Sequence, residues 1–230
     1  MVRVEFPVEQ SMRFRIDLKI FVFLILFYFT KQIETYAMIM IFAIIHEFGH
    51  LLAGLMLGMK PAKMEIEPYG VSISFKLTPM DYNKKIKKGN LLELKKIFVA
   101  IVGPITNLLI IIMCFYMKIE IVTKLIIIYS NILLIIFNML PIYPLDGGRI
   151  IKSILHIILG KQKAEKYINT ISFSTIVILT LISSIAIYVA QNIAIFLIII
   201  FLWCLYVKQD IIYKRKDKIN NLVQKTIEIK

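Results

Sequence analysis

The chain has 230 residues, 59% of them hydrophobic, and a mean hydropathy of +0.78. Soluble domains carry about 45–50% apolar residues, so a soluble globular protein is excluded and an all-α polytopic membrane protein is expected. The net charge of +13 does not point to nucleic acid, because the basic residues lie in polar stretches between apolar runs, with no aromatic-interleaved basic surface.

In chain order, residues 1–18 are polar to amphipathic, with Arg3, Arg13 and Arg15. Lys19 to Thr30 is a short apolar and aromatic run, and adding Ile16 to Leu18 brings it near the lower limit for a membrane span. Its exit, Thr30-Lys31-Gln32-Ile33-Glu34, lacks a small-x-small cleavage pattern, so it reads as a retained span rather than a signal peptide. Tyr36 to Met59 is a second span. From Lys63 to Leu77 two alternating stretches flank Pro68-Tyr69-Gly70, the pattern of a β-hairpin. Lys84, Lys85, Lys87, Lys88, Lys95 and Lys96 then form a charge run that reads as solvated or facing lipid headgroups.

Ile97 to Met117 is the third span, opening with Gly103-Pro104-Ile105-Thr106-Asn107, and Ile121 to Leu140 is the fourth. A short amphipathic helix over Ile150 to Leu159 stops at Gly160. Tyr167 to Ala190 and Ile193 to Val207 are spans five and six, and a basic amphipathic tail follows from Lys208. Two domains result: a six-span core over 1–207, with the hairpin and basic loop at 60–96, and a tail over 208–230. The two cysteines, Cys114 and Cys204, lie in apolar runs and support no disulfide framework.

Six spans put both termini on one side. Of the 28 Lys and Arg, all but Lys31, Lys118 and Lys124 fall in the N-terminus, the two long loops and the tail. By the positive-inside rule those segments are cytoplasmic. The expected location is a bacterial cell membrane.

Within span two stands His46-Glu47-Phe48-Gly49-His50. Residues four apart on a helix lie one above the other, so both imidazoles can point at one metal ion. Glu47 is turned about 100° round the helix and is placed to accept a proton from the attacking water. Two histidines and a general base on one turn and a half of helix make the layout of a zinc metalloprotease. Satisfied core histidines would explain the pair too, but ionisable groups in mid-membrane are costly and usually functional.

A catalytic zinc ordinarily has three protein ligands. Asp146 is the best candidate for the third, because spans two and four run in the same direction and deliver His50 and Asp146 to similar depth. Pro141 and Pro144 cannot continue a regular helix, and broken backbone at membrane depth is tolerated where it lines a cavity. Gly147-Gly148 would let the chain turn sharply there. The blander alternative is that Asp146 caps the short helix that follows, and capping could coexist with ligation. His156 is the rival third ligand, though an interfacial place suits it better. Glu65 and Glu67 read as exposed strand positions.

Together, His46-Glu47-Phe48-Gly49-His50, Gly103-Pro104-x-x-Asn107 and Asn138-x-x-Pro141-x-x-Pro144-Leu145-Asp146-Gly147-Gly148-Arg149 resemble the site-2 protease family of intramembrane zinc metalloproteases. More narrowly they resemble its sporulation branch, that of stage IV sporulation protein FB, over roughly residues 15–205. The resemblance implies one zinc per chain on His46, His50 and Asp146, with Glu47 activating water. It places Asn138, Pro141 and Pro144 along the substrate cleft. It implies a membrane-associated protein substrate, in that branch a sigma-factor precursor, and inhibitory membrane-protein partners. That branch often carries a CBS domain after its last span, whereas the 23 residues after Val207 are too few for a domain of about 50. A divalent-metal transporter or an inactive scaffold are the alternatives. The first has no use for a Glu directly after the first His, and the second need not keep the motif. Oligomeric state is not legible.

Overall fold

A computed structural model of the chain describes residues 13–16, 33–67, 70–76, 85–190 and 193–228. The elements run β1 (Arg13–Ile16), α1 (Ile33–Met56), β2 (Lys60–Glu67), β3 (Gly70–Lys76), α2 (Lys85–Tyr116), α3 (Ile121–Asn138), α4 (Asp146–Leu159), α5 (Lys161–Ala190) and α6 (Ile193–Glu228). By their contacts the residues divide into two units, one of 1–89 with 102–135 and the other of 90–101 with 136–230.

In the first unit α1 is apolar nearly all round, as a helix within a membrane must be. Ile41, Ile44, Phe48, Leu52 and Leu55 are exposed at spacings of three and four, a stripe suited to lipid contact. The opposite face carries Phe42, Ala43, His46, His50 and Ala53, all buried. Phe42 and Ala43 pack with Leu134 of α3, supported by Met38, Ile39, Ile110 and Ile127.

A three-stranded sheet in the order β1-β2-β3 packs against α1 through β2 and β3. β2 and β3 are antiparallel, with Ile66 opposite Val71 and Glu67 opposite Gly70, and the register slips between Pro61 and Lys63. β1 pairs parallel with β2, Arg13 opposite Lys63 and Ile16 opposite Ile66. Among the described residues the chain is helical apart from this small sheet. The period-two pattern Arg-Phe-Arg-Ile suffices for a short strand once a partner edge exists, and Ile16 belongs to it rather than to a membrane span.

Four helices among the described residues are long and apolar enough to cross a membrane, at Tyr36–Met56, Asn90–Tyr116, Ile121–Asn138 and Lys161–Ala186. These four coincide with the second to fifth of the six spans expected. The expected first span, over Lys19 to Thr30, lies outside the described residues. The expected sixth, Ile193–Val207, is the beginning of a helix that runs unbroken to Glu228. The lysine run is not a loop either: from Lys85 it is helical and continuous with the following apolar segment. Charge does not break a helix, and Lys, Leu and Glu are all good helix formers. Lys96 and Glu93, three apart, pair at 2.7 Å on that turn. Pro104 sits inside α2 instead of opening it.

In the second unit Ile142, Ile176 and Leu202 form the core, with Phe137, Leu140, Leu145, Leu179 and Trp203 among the residues around it. The irregular stretch from Met139 to Leu145 is tied down by the Tyr143 amide, which donates to Ser172 Oγ at 3.0 Å. α5 and α6 are linked by Trp203 Nε1 donating to Thr180 Oγ1 at 3.0 Å and by Asn169 Nδ2 donating to Asp210 Oδ1 at 3.0 Å.

Candidate metal centre

His46 and His50 are adjacent on the inner face of α1, each only 2% exposed. Their Nε2 atoms lie 3.1 Å apart, with the rings nearly perpendicular at 89°. Two nitrogens bound to one tetrahedral zinc at about 2.0–2.1 Å would be roughly 3.3 Å apart, so the pair is already close to ligand geometry. Behind His46, its Nδ1 donates to Oδ1 of Asn107, a fully buried residue of α2, at 3.1 Å. A β-carbon on Gly103 would strike both imidazole rings, and one on Gly49 would strike the Thr106 hydroxyl. Glycine at both positions is what lets α1 and α2 approach so closely.

Asp146 is the first residue of α4 and 3% exposed. The cap position of that helix falls on Leu145, so Asp146 sits one residue inside it. Its carboxylate stands at the positive end of the helix dipole. Gly147 and Gly148 are not turn glycines, since α4 begins at Asp146, four residues earlier than expected, and both lie within its first turn. A β-carbon at 147 would meet the carbonyl oxygens of Met139 and Leu140, and one at 148 would meet the backbone of Ile142 and Tyr143. The glycine pair lets the head of α4 lie directly on the irregular stretch.

His46, His50 and Asp146 are all buried, and each offers one donor atom of a kind that ligates metal. They form a group that can hold a metal ion, and two imidazoles with a carboxylate suit zinc. A buried carboxylate needs a compensating charge, because uncompensated burial costs several kcal/mol. Arg149 lies at a long 3.5 Å with a third of its side chain in the open, and a divalent cation bound at the group would add a further positive partner. Glu47 is half-buried on the same helix turn. His156, the rival ligand, is directed elsewhere, with Nδ1 3.3 Å from Glu93 Oε1. Asn138 is the last residue of α3, and Pro141 and Pro144 lie in the irregular stretch, all three half-buried. In the sequence, Gly103 and Asn107 stand out as a pattern without a role. The signal was a small residue and an amide one turn apart, aimed at a helix bearing histidines.

A model of Peptidase family M50 matches residues 119–182, a segment that contains Asp146 but not the histidine pair. No curated protein sequence matches the chain. Among solved structures, the chain is similar to a site-2 protease from Methanocaldococcus jannaschii, with a TM-score of 0.62 and 20% identity over 89% of this chain and 93% of that one. The fold is thus that of a site-2 protease. With the M50 match, it supports a zinc metalloprotease that is an integral membrane protein.

Proposed function

We propose that the chain is an intramembrane zinc metalloprotease that hydrolyses a peptide bond of a membrane-associated protein. The observation that carries this reading is the buried group of His46, His50 and Asp146 beside Glu47 on an apolar helix. In it, His46, His50 and Asp146 hold one zinc. Bound zinc supplies Lewis acidity that polarises the scissile carbonyl and lowers the pKa of water towards 7. Glu47 takes the proton of the attacking water and hands it to the departing amine. Asn138 and the backbone around Pro141 and Pro144 border the substrate segment. A substrate helix has its backbone bonds satisfied internally and must unwind before a carbonyl is reachable.

The finer reading keeps six spans, both termini in the cytoplasm of a bacterial cell, and the sporulation branch. Its substrate is then a sigma-factor precursor held at the membrane, and membrane-protein partners act as inhibitors. The stretch from Asn138 to Arg149 and the distribution of Lys and Arg support it. A reporter fused after Gln191 should lie on the side opposite both termini.

Zinc content and cleavage of a membrane substrate in reconstituted vesicles, compared between wild type and Glu47→Gln, test the function. A protease loses cleavage in the variant, by about 10²–10⁴-fold for a general base, and keeps its zinc. Zinc flux across the vesicle wall would mark a transporter, and uncleaved substrate with wild type an inactive scaffold.

A further inference from the structure

We propose that Asn107 is a positioning residue of the metal centre: its Oδ1 holds His46 in the tautomer that leaves Nε2 bare for the metal. The inference rests on the zinc-site reading above and adds a residue to it from a different helix.

A neutral imidazole carries one N–H, and a ring that binds metal through Nε2 must hold its proton on Nδ1. Asn107 Oδ1 lies 3.1 Å from that Nδ1. An amide oxygen can only accept, so the bond requires the Nδ1 proton and directs the Nε2 lone pair towards His50 Nε2, 3.1 Å away. Turned the other way, the amide would donate to a bare Nδ1 and force the proton onto Nε2, which removes the metal-facing lone pair.

The rest of Asn107 shows that its oxygen is what the site uses. The residue is fully buried, and its Nδ2 is enclosed with no hydrogen-bond partner. An apolar side chain of the same size would avoid that unpaired donor, and a buried polar atom left in this way calls for a reason. Accepting from His46 supplies one. The backbone is arranged to permit it: Gly103, one turn before Asn107, clears both imidazoles, and Gly49 clears Thr106. With the helices this close, the short asparagine side chain reaches Nδ1 directly. The Thr106 hydroxyl beside it donates to the carbonyl of its own helix at Val102, at 2.9 Å, and leaves the ring to Asn107.

The test is zinc affinity of the full chain in detergent, measured by chelator competition, with apo-protein melting as the control for folding. Loss of a residue that orients a ligand typically lowers metal affinity about 10–100-fold. Asn107→Leu should show that loss with melting unchanged. Asn107→Asp keeps an acceptor at the same reach and should hold affinity within about threefold of wild type or better. Wild-type affinity in Asn107→Leu, or an equal loss in both variants, overturns the proposal. His46→Ala separates this from the underlying reading: if it binds zinc as wild type does, the zinc site itself is wrong and the proposal falls with it. A second measurement does not depend on any variant folding. Histidine-labelled ¹⁵N spectra of the metal-free wild type, with only three histidines to assign, should show His46 protonated on Nδ1. A His46 protonated on Nε2 would overturn the proposal outright.

Discussion

His46 and His50 stand on a regular helix, and their relation is fixed by the helix repeat alone: four residues, one turn, two Nε2 atoms 3.1 Å apart. Asp146 reaches its place by another route. It follows irregular backbone from Met139 to Leu145, and its position depends on α4 starting at that residue with two glycines flush against the carbonyls of 139, 140 and 142. The first arrangement is local and periodic, whereas the second is steric and depends on a specific backbone path. The comparison teaches where each region is fragile. The spacing of the histidine pair should persist so long as the helix does, with neighbours such as Asn107 and Gly103 tuning its affinity, while the carboxylate should be lost with small changes to backbone packing.

The largest expected effect tests the comparison at the ligands themselves. His50→Ala and Asp146→Asn should each abolish or nearly abolish proteolysis and strip zinc from the purified protein, with insertion and melting preserved. Asparagine keeps the shape of the side chain but removes the negative charge. Full zinc occupancy with near-normal activity in Asp146→Asn would exclude it as a ligand. His156, held against Glu93 at 3.3 Å, would not replace it without rearrangement.

The same contrast explains what was legible in the sequence. His46, Glu47 and His50 were readable because a helix repeat converts spacing directly into geometry. Asp146 was reachable by matching membrane depth, but its surroundings were misread. The glycines looked like a turn, and only the backbone path shows them as points of contact. Asn107 was visible as a letter in a pattern and not as a partner of His46, because the register of two helices is set by packing far apart in sequence. β1 escaped because four residues of Arg-Phe-Arg-Ile carry almost no signal without the β2 edge beside them. The lysines from 85 to 96 suggest solvent by their charge, yet charge says nothing against helix. Hydropathy likewise marks an apolar run but not whether its helix continues beyond it, as α6 does.

A second pair of substitutions separates the two regions more finely. Gly148→Ala would place a methyl group against the backbone of Ile142 and Tyr143, which cannot move aside cheaply. We expect a loss of about 1–3 kcal/mol in stability, seen as a lowered Tm, together with loss of zinc. Gly103→Ala would instead meet the two imidazole rings, which are side chains and can rotate. It should lower zinc affinity by about an order of magnitude with a smaller change in Tm. If Gly103→Ala proves the more destabilising of the two, the distinction between a periodic and a steric half is wrong.

The smallest effect concerns the second unit away from both halves, where α5 and α6 are joined by Asn169 and Asp210 at 3.0 Å. Lys214, 2.7 Å from the Asp210 carboxylate, holds that group below its ordinary pKa of 3.8, with the Asn169 amide adding to the effect. A carboxylate depressed in the folded state contributes stability that is complete above its unfolded pKa. That contribution is lost as the pH falls through the lower folded value, so the window lies below about pH 4. The partner Lys214 is open to solvent, and exposed pairs are worth little, so Asp210→Asn should change Tm at neutral pH by no more than about 2 °C. The difference from wild type should vanish in strong acid. Zinc content and proteolysis should stay unchanged, because neither the helix turn at 46–50 nor the glycine contacts at 147 and 148 involve this link. A loss of zinc in Asp210→Asn would mean that the α5–α6 link sets the backbone path of Asp146 through Ser172 and Tyr143. The steric half of the centre would then extend well beyond the residues that touch it.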